Sequence, residues 1–136
     1  NKRPSGALIF EINVYNTKLQ KIGTLTVLSG ANVPCEDGQT TDILSVTLAP
    51  GIWIVIAMIS VNVINSSDSR IRASIAINNM EISDQRASID GFQTVINLSA
   101  CVALETEGAV KIKVTQNSGG TNNSQCNQFA AIRING

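Results

Sequence analysis

The middle of this chain is apolar at both odd and even positions, which is unusual for a strand. An apolar stretch at 52–64 directly follows the turn signal Pro50-Gly51. Strand side chains point alternately to the two faces of a sheet, so most strands of a two-layer protein alternate apolar and polar residues. A strand that is apolar on both faces is predicted to be covered twice, once by its own core and once by another subunit.

Elsewhere apolar positions recur with period two, and no segment of helical length shows three-four spacing. The alternation places Ile71, Ala73, Ile75 and Ile77 on one face. The same alternation predicts inward positions for Val110, Ile112, Val114, Ile132 and Ile134, and for the stripe Ile96, Leu98, Ala100, Val102 and Leu104. The predicted strands are 7–15, 22–28, 43–48, 52–64, 70–78, 80–83, 92–104, 109–115 and 128–135. Eight or nine short strands predict an all-β fold, an antiparallel two-sheet sandwich or jelly roll.

Length and charge narrow the classes of function. The 136 residues are expected to form a single domain over 1–136, and its opening residues indicate the C-terminal part of a longer protein. Ten basic and ten acidic residues give a formal net charge of zero, which favours neither nucleic acid nor an anionic membrane as partner. The uncharged run at 43–67 is broken by Pro50-Gly51 and rich in β-branched residues, so it does not predict a membrane helix.

The residues suited to catalysis are few. The chain contains no histidine, which excludes the usual Ser–His and Cys–His pairs and histidine-ligated metals. The only close carboxylate pairs are Glu36-Asp37 and Glu105 with Glu107; a glycosidase needs two carboxyls facing each other across a cleft, whereas neighbouring surface acids are normally just solvated. Asp37 and Asp42 lack the spacing of a calcium loop, and an ordinary acidic turn is favoured there. We therefore predict a protein that is not an enzyme and has neither cofactor nor metal.

The three cysteines have no metal-binding spacing, and an odd number cannot all pair within the chain. Buried free thiols are favoured for Cys35, Cys101 and Cys126, with a Cys35–Cys101 or Cys101–Cys126 bridge as alternatives. The order Cys35, Trp53, Cys101 suggests an immunoglobulin-like sandwich. Against that reading, Ser99 stands where such domains carry Tyr, and Cys101 lies opposite the inward stripe.

Three segments resemble the trimeric jelly-roll heads of the tumour-necrosis-factor and complement type, including heads of phage tail fibres and of collagen-like bacterial spore-surface proteins. They are Ala49-Pro50-Gly51-Ile52-Trp53, the strand ending Ile75-Ala76-Ile77-Asn78-Asn79, and the closing strands around 96–99 and 110–114 followed by 129–134. The segment Leu104-Glu105-Thr106-Glu107-Gly108 departs from the family, which commonly has Gly-Asp before its penultimate strand. The resemblance implies a homotrimer in which one sheet of each subunit packs around a threefold axis.

These observations lead to a predicted function. We expect a trimeric attachment head on an extracellular, virion or spore surface that recognises a cell-surface ligand, most simply a saccharide, through three weak sites. The alternatives are a purely structural trimerisation or capping knob without ligand, and a cytokine-like protein ligand. The predicted ligand-binding residues lie in two amide-rich loops: Asn65, Asp68, Arg70, Gln116, Asn117, Asn122, Asn123 and Gln125. The predicted trimer-interface residues lie on the doubly apolar strand: Trp53, Val55, Ile56, Met58 and Ile59.

Overall fold

The structure is a computed structural model that describes residues 25–62, 69–89 and 93–135. Within these ranges every regular element is a strand, and no helix long and apolar enough to span a membrane occurs. The nine strands are β1 Leu25–Leu28, β2 Val33–Cys35, β3 Thr40–Leu48, β4 Gly51–Asn62, β5 Ser69–Ile77, β6 Met80–Ile89, β7 Gln93–Leu104, β8 Gly108–Gln116 and β9 Asn122–Asn135.

The strands form two antiparallel sheets, which confirms the predicted jelly roll. One sheet has the order β1-β9-β4-β7, and β2 also pairs with β9, so that β1 and β2 together line one edge. The other sheet has the order β3-β8-β5-β6. Most connections cross from one sheet to the other, and segments close in sequence are therefore separated in space. We call the first the five-stranded sheet and the second the four-stranded sheet.

The core lies between the sheets and follows the predicted alternation in most strands. The predicted inward residues of β5, β7 and β8 are buried or pack against the core, with Val110, Ile112 and Val114 fully buried. Phe129 and Ala131 of β9 are also fully buried. Burial of a large aliphatic or aromatic side chain contributes about 1.5–3 kcal/mol, and this continuous cluster is the main source of stability.

Two turns depend on residue types that the sequence displays. Asn78 and Asn79 join β5 to β6 with φ of 48° and 70°, the backbone of a two-residue hairpin turn that favours Asn and Gly. Gly51 begins β4 at φ 139°, and a Cβ there would lie 2.5 Å from both Arg133 Nε and the Asn135 carbonyl oxygen. Glycine is therefore required where the chain enters β4.

The structure corrects several sequence-based expectations. Strand β2 was not predicted, β6 runs six residues beyond the predicted 80–83, and β9 begins at Asn122 instead of 128. Ile132 and Ile134 were expected in the core, yet both are exposed, because Phe129 and Ala131 hold the inward positions of β9. The predicted strand 7–15 lies outside the described residues.

The core of its own domain covers only one of the two apolar faces of strand β4. Trp53, Val55 and Ile59 are buried in the core of their own subunit, so assigning these three to a trimer interface was wrong. The Trp53 indole N–H donates to the Ala49 carbonyl at 2.9 Å, which fixes the ring at the entry to the strand. Ile56 is 51% exposed and points outward, and Met58 is partly exposed.

Candidate functional site

Charge is distributed very unevenly between the two sheets. The five strands of the five-stranded sheet contain one charged residue, Arg133, whose guanidinium donates to the Pro50 carbonyl oxygen at the end of β4. The strands of the four-stranded sheet carry eight: Asp42, Arg70, Arg72, Glu81, Asp84, Arg86, Lys111 and Lys113. The molecule therefore presents two chemically different outer faces.

The outer side of the five-stranded sheet is uncharged and rich in apolar residues, with the exposed polar residues Asn97, Ser99 and Gln128 among them. Ile54 pairs with Ile132 of β9 and Cys101 of β7, and Ile56 pairs with Ala130 and Ser99. We call this outer side of the sheet the uncharged face. Its exposed large apolar residues are Leu25, Val27, Ile54, Ile56, Val95, Ile132 and Ile134. Large contiguous apolar patches on soluble proteins usually mark a contact surface.

The cysteines are free, as predicted, but they differ in exposure. Cys35 and Cys126 are buried, and burial raises the pKa of the Cys126 thiol to about 11. Cys101 is exposed on the uncharged face, opposite Ile54. The expectation that all three are buried is wrong for Cys101, because it occupies an outward position of β7.

A cleft of about 540 Å³ opens on the four-stranded sheet, where β5 begins and β8 ends. Its lining contains three arginines, Arg70 and Arg72 on β5 and Arg86 on β6. Register places Arg72 directly opposite Arg86. The rest of the lining is Gly38, Ile71, Ala87, Thr115, Gln116 and Asn117. We call this site the arginine cleft.

The three arginines differ in how they are neutralised. Arg72 forms a two-pronged ion pair with Glu81, and its Nε lies 3.1 Å from Asp84 Oδ2. The hydrogen bonds from Arg72 hold the pKa of Glu81 below its usual value, and the Glu81 carboxylate raises the pKa of Arg72. Among the described residues, the nearest carboxylate to Arg86 is the same Asp84, at 3.8 Å, which is beyond hydrogen-bond distance.

Two of the predicted ligand-binding residues are buried and support the loop between β8 and β9. Gln116 is 1% exposed; its Nε2 donates to the carbonyls of Cys35 and Gly120, and its Oε1 accepts from Ser118. Asn122 Nδ2 donates to Ser118 Oγ at 2.5 Å. The expectation of a surface loop over 116–127 is wrong for both ends, because these amides satisfy buried backbone groups and β9 begins at Asn122.

The remaining predicted ligand-binding residues are divided among several places. Arg70 lies at the arginine cleft beside Asn117, whose Oδ1 accepts from the Arg70 backbone N–H at 2.7 Å. Gln125 is half-buried and donates to the Gly30 carbonyl, while Asn123 is exposed on β9. Asn65 and Asp68 lie outside the described residues. The structure thus brings together three of the eight, Arg70, Gln116 and Asn117, around one solvent-accessible cleft, and their role in binding stays a prediction.

Sequence reasoning missed Arg72 and Arg86 as members of a site. The spacing Arg70-x-Arg72 did place two arginines on one outward face. The two-residue turn at Asn78-Asn79 also gives an approximate partner for each. A bulge between Ile75 and Ala76 shifts the register by one residue and makes Arg86, instead of Gln85, the partner of Arg72.

Comparison with known proteins shows the fold alone. No protein-family model and no curated protein matches the sequence. The protein of T=1 particles derived from infectious bursal virus aligns with a TM-score of 0.57 at 9% identity, over 82% of this chain and 32% of that chain. The VP2 subviral particle of infectious bursal disease virus gives 0.56 at 9%, over 81% and 33%. The C-terminal domain of EclA, described as a sugar-binding protein, gives 0.49 at 13%, over 79% and 78%. The chain therefore spans about a third of the viral proteins it matches.

Proposed function

We propose that this domain is the homotrimeric attachment head of a fibre or surface protein, displayed outside the cell or on a virion or spore. One sheet of each subunit faces the threefold axis, and the opposite sheet faces the surface to which the particle attaches. The observation that carries this proposal is the uncharged face. Its proposed occupants are two further copies of the same chain.

The chemistry of the uncharged face supports self-association. The five-stranded sheet brings no charged group to its outer side among the described residues, so its burial requires no ion to be desolvated. Packing exposed isoleucines and valines against copies of themselves contributes roughly 25 cal/mol per Å² of apolar surface. A chain of formal net charge zero also has little repulsion between its copies.

We propose a saccharide as ligand and binding as the activity. The opposite sheet and its loops present amide, hydroxyl and guanidinium groups, which hydrogen-bond sugar hydroxyls and acids. Its carboxylates Asp42, Glu81 and Asp84 are all engaged by Lys or Arg, which supports a non-catalytic role. Three copies on one rigid head convert weak single-site affinity into avidity.

A structural knob without ligand is the second candidate. It is favoured by the internal hydrogen bonding of the loop between β8 and β9, where Gln116 and Asn122 support the fold instead of facing solvent. Such a knob would use the uncharged face in the same way. The two candidates differ only in whether the four-stranded sheet binds anything.

Absolute mass by light scattering after size exclusion tests the trimer, and a glycan array tests attachment. We expect a mass near three times 14.4 kDa and retention on a subset of glycans. A trimer that binds no glycan and no cell surface supports the knob. A monomer overturns the trimeric head.

A further inference from the structure

The arginine cleft contains an arrangement that is unfavourable for folding alone. Arg72 and Arg86 are directly opposite on neighbouring antiparallel strands, and Arg70 is the diagonal neighbour of Arg86 on the same face. Like charges directly opposite each other destabilise a sheet, and diagonal neighbours are within reach of long side chains. Selection for stability alone would not favour three arginines at neighbouring positions of one sheet face, because their charges repel one another.

The described carboxylates near the cleft compensate this charge incompletely. Glu81 and Asp84 both bind Arg72, so two acids are concentrated on one of the three arginines. Arg86 keeps a 77% exposed side chain, with its nearest described carboxylate at 3.8 Å. Its guanidinium therefore has N–H donors directed into solvent or toward a ligand. A single anionic group would complete the charge balance between Arg86 and its neighbours.

The neighbouring groups at the cleft are also donors. The Arg70 N–H donates to Asn117 Oδ1 at 2.7 Å, and the Asn117 N–H donates to the Arg70 carbonyl at 3.2 Å. These two bonds fix the start of β5 against the end of β8. Because Oδ1 of Asn117 is engaged, the group its side chain offers to a ligand is the NH₂ donor.

None of the described residues that line the cleft is aromatic. Trp53 and Phe129, the aromatic residues of the described chain, are both buried in the core. A sugar bound here would be held by charge-assisted hydrogen bonds and not by stacking on a ring. Guanidinium groups bind carboxylate and sulfate through two parallel N–H···O bonds, which favours ligands that carry such an acid over neutral ones.

We infer that the arginine cleft is the ligand site of the head and that it binds an acidic saccharide, a sugar bearing a carboxylate or a sulfate. This inference rests on the proposed attachment function and narrows its ligand class. Arg70 and Arg86 contact the acid, Asn117 donates to a neighbouring oxygen, and Arg72 is a positioning residue. Arg72 Nε lies 3.1 Å from Asp84 Oδ2, closer than the 3.8 Å between Arg86 Nε and the same oxygen, so Arg72 competes with Arg86 for this carboxylate.

The test compares lactose, 3′-sulfolactose and 3′-sialyllactose on one linker, which share lactose and carry at its 3′ oxygen nothing, a sulfate, or a sialic acid residue with its carboxylate. Binding is measured by biolayer interferometry with the intact protein, alongside an array of acidic and neutral glycans. The test variant is Arg70→Gln/Arg86→Gln. The matched control is Lys111→Gln/Lys113→Gln, which removes two positive charges from the same sheet outside the cleft. Thermal melts confirm that both variants fold.

We expect acidic glycans to bind, the arginine variant to weaken binding about tenfold or more, and the lysine variant to change it less than threefold. Binding of only the sialyl or only the sulfo sugar supports the site and identifies the acid. Equal weakening by both variants, or equal binding of lactose, overturns the arginine cleft while leaving attachment intact. A trimer that binds no glycan overturns both proposals. A monomer that binds acidic glycans through these arginines overturns only the trimeric head.

Discussion

Replacing one outward apolar residue of β4 with a charged residue should disrupt assembly and leave folding intact. Ile56 is 51% exposed in the single chain, and its neighbours Ser99 and Ala130 also lie on the uncharged face. Covering the exposed half of an isoleucine contributes roughly 1 kcal/mol per subunit. An aspartate at the same place loses this contribution and adds a desolvation cost of several kcal/mol per ion, repeated in three copies. Even a third of that sum weakens assembly by about a hundredfold.

Ile56→Asp is therefore expected to give a folded monomer. The neighbouring change Val55→Asp is the contrast, because Val55 is fully buried and an unpaired carboxylate there costs several kcal/mol on top of the lost burial. That total is comparable with the whole stability of a small domain, about 5–15 kcal/mol, and we expect Val55→Asp not to fold.

Light scattering gives the mass of each variant, and circular dichroism melts report folding. The control Thr47→Asp places the same side chain at an exposed position of the four-stranded sheet and should leave the trimer intact. A trimeric Ile56→Asp would refute the assignment of the uncharged face. A stable, folded Val55→Asp would refute the assignment of strand faces on which that argument depends.

Three further outcomes are expected. Thiol labelling at pH 8 should count about one fast thiol in monomeric Ile56→Asp, from Cys101, and none in the wild-type trimer; equal labelling would place Cys101 outside the interface. Gln116→Ala should lower the free energy of unfolding by about 1–3 kcal/mol in urea melts, because it leaves buried carbonyls unpaired; an unchanged value would mean that water replaces the amide. The hydrogen bonds from Arg72 lower the pKa of Glu81, so this pair stabilises the fold above pH ~4.3 and loses that contribution as the pH falls through the lower folded pKa. Screening keeps the change below ~1 kcal/mol, and Arg72→Gln should flatten that part of the stability profile between pH 5 and 2, whereas an identical profile would contradict the linkage.

The sequence predicted those parts of the fold in which apolar residues alternate strictly. Alternation around Ile112 and Ile75 gave the correct faces, and the apolar run of β4 correctly predicted a strand with two apolar sides. In each of these strands, the residue types alone predict which positions are buried. The same reasoning gave the jelly roll, because the strand count and turn spacing follow from such segments.

The first half of strand β9, before the predicted 128–135, could not be predicted in this way, because polar residues occupy several of its buried positions. Asn122 and Ser124 are both buried, and Asn122 Nδ2 donates to Gln116 Oε1 and Ser118 Oγ, so these polar residues lie in the interior instead of marking a loop. Glutamine is usually a surface residue, whereas Gln116 is buried in the core. Its partners include the Cys35 carbonyl, 81 positions away in the chain, and no local pattern reveals a hydrogen bond of that separation.

The difference in charge between the two sheets arises from the strand topology, because charged and uncharged strands alternate along the chain. Along the chain, uncharged strands such as β4 and β7 alternate with charged ones such as β5 and β8, and the sequence shows no segregation. Because the connections of a jelly roll cross between sheets, the alternate segments gather on opposite sides. A trimer built on the uncharged face would place three arginine clefts on surfaces turned away from its axis. A single topological rule thus supplies both halves of the proposed function, a face that excludes charge for assembly and a face that retains it for an acidic ligand.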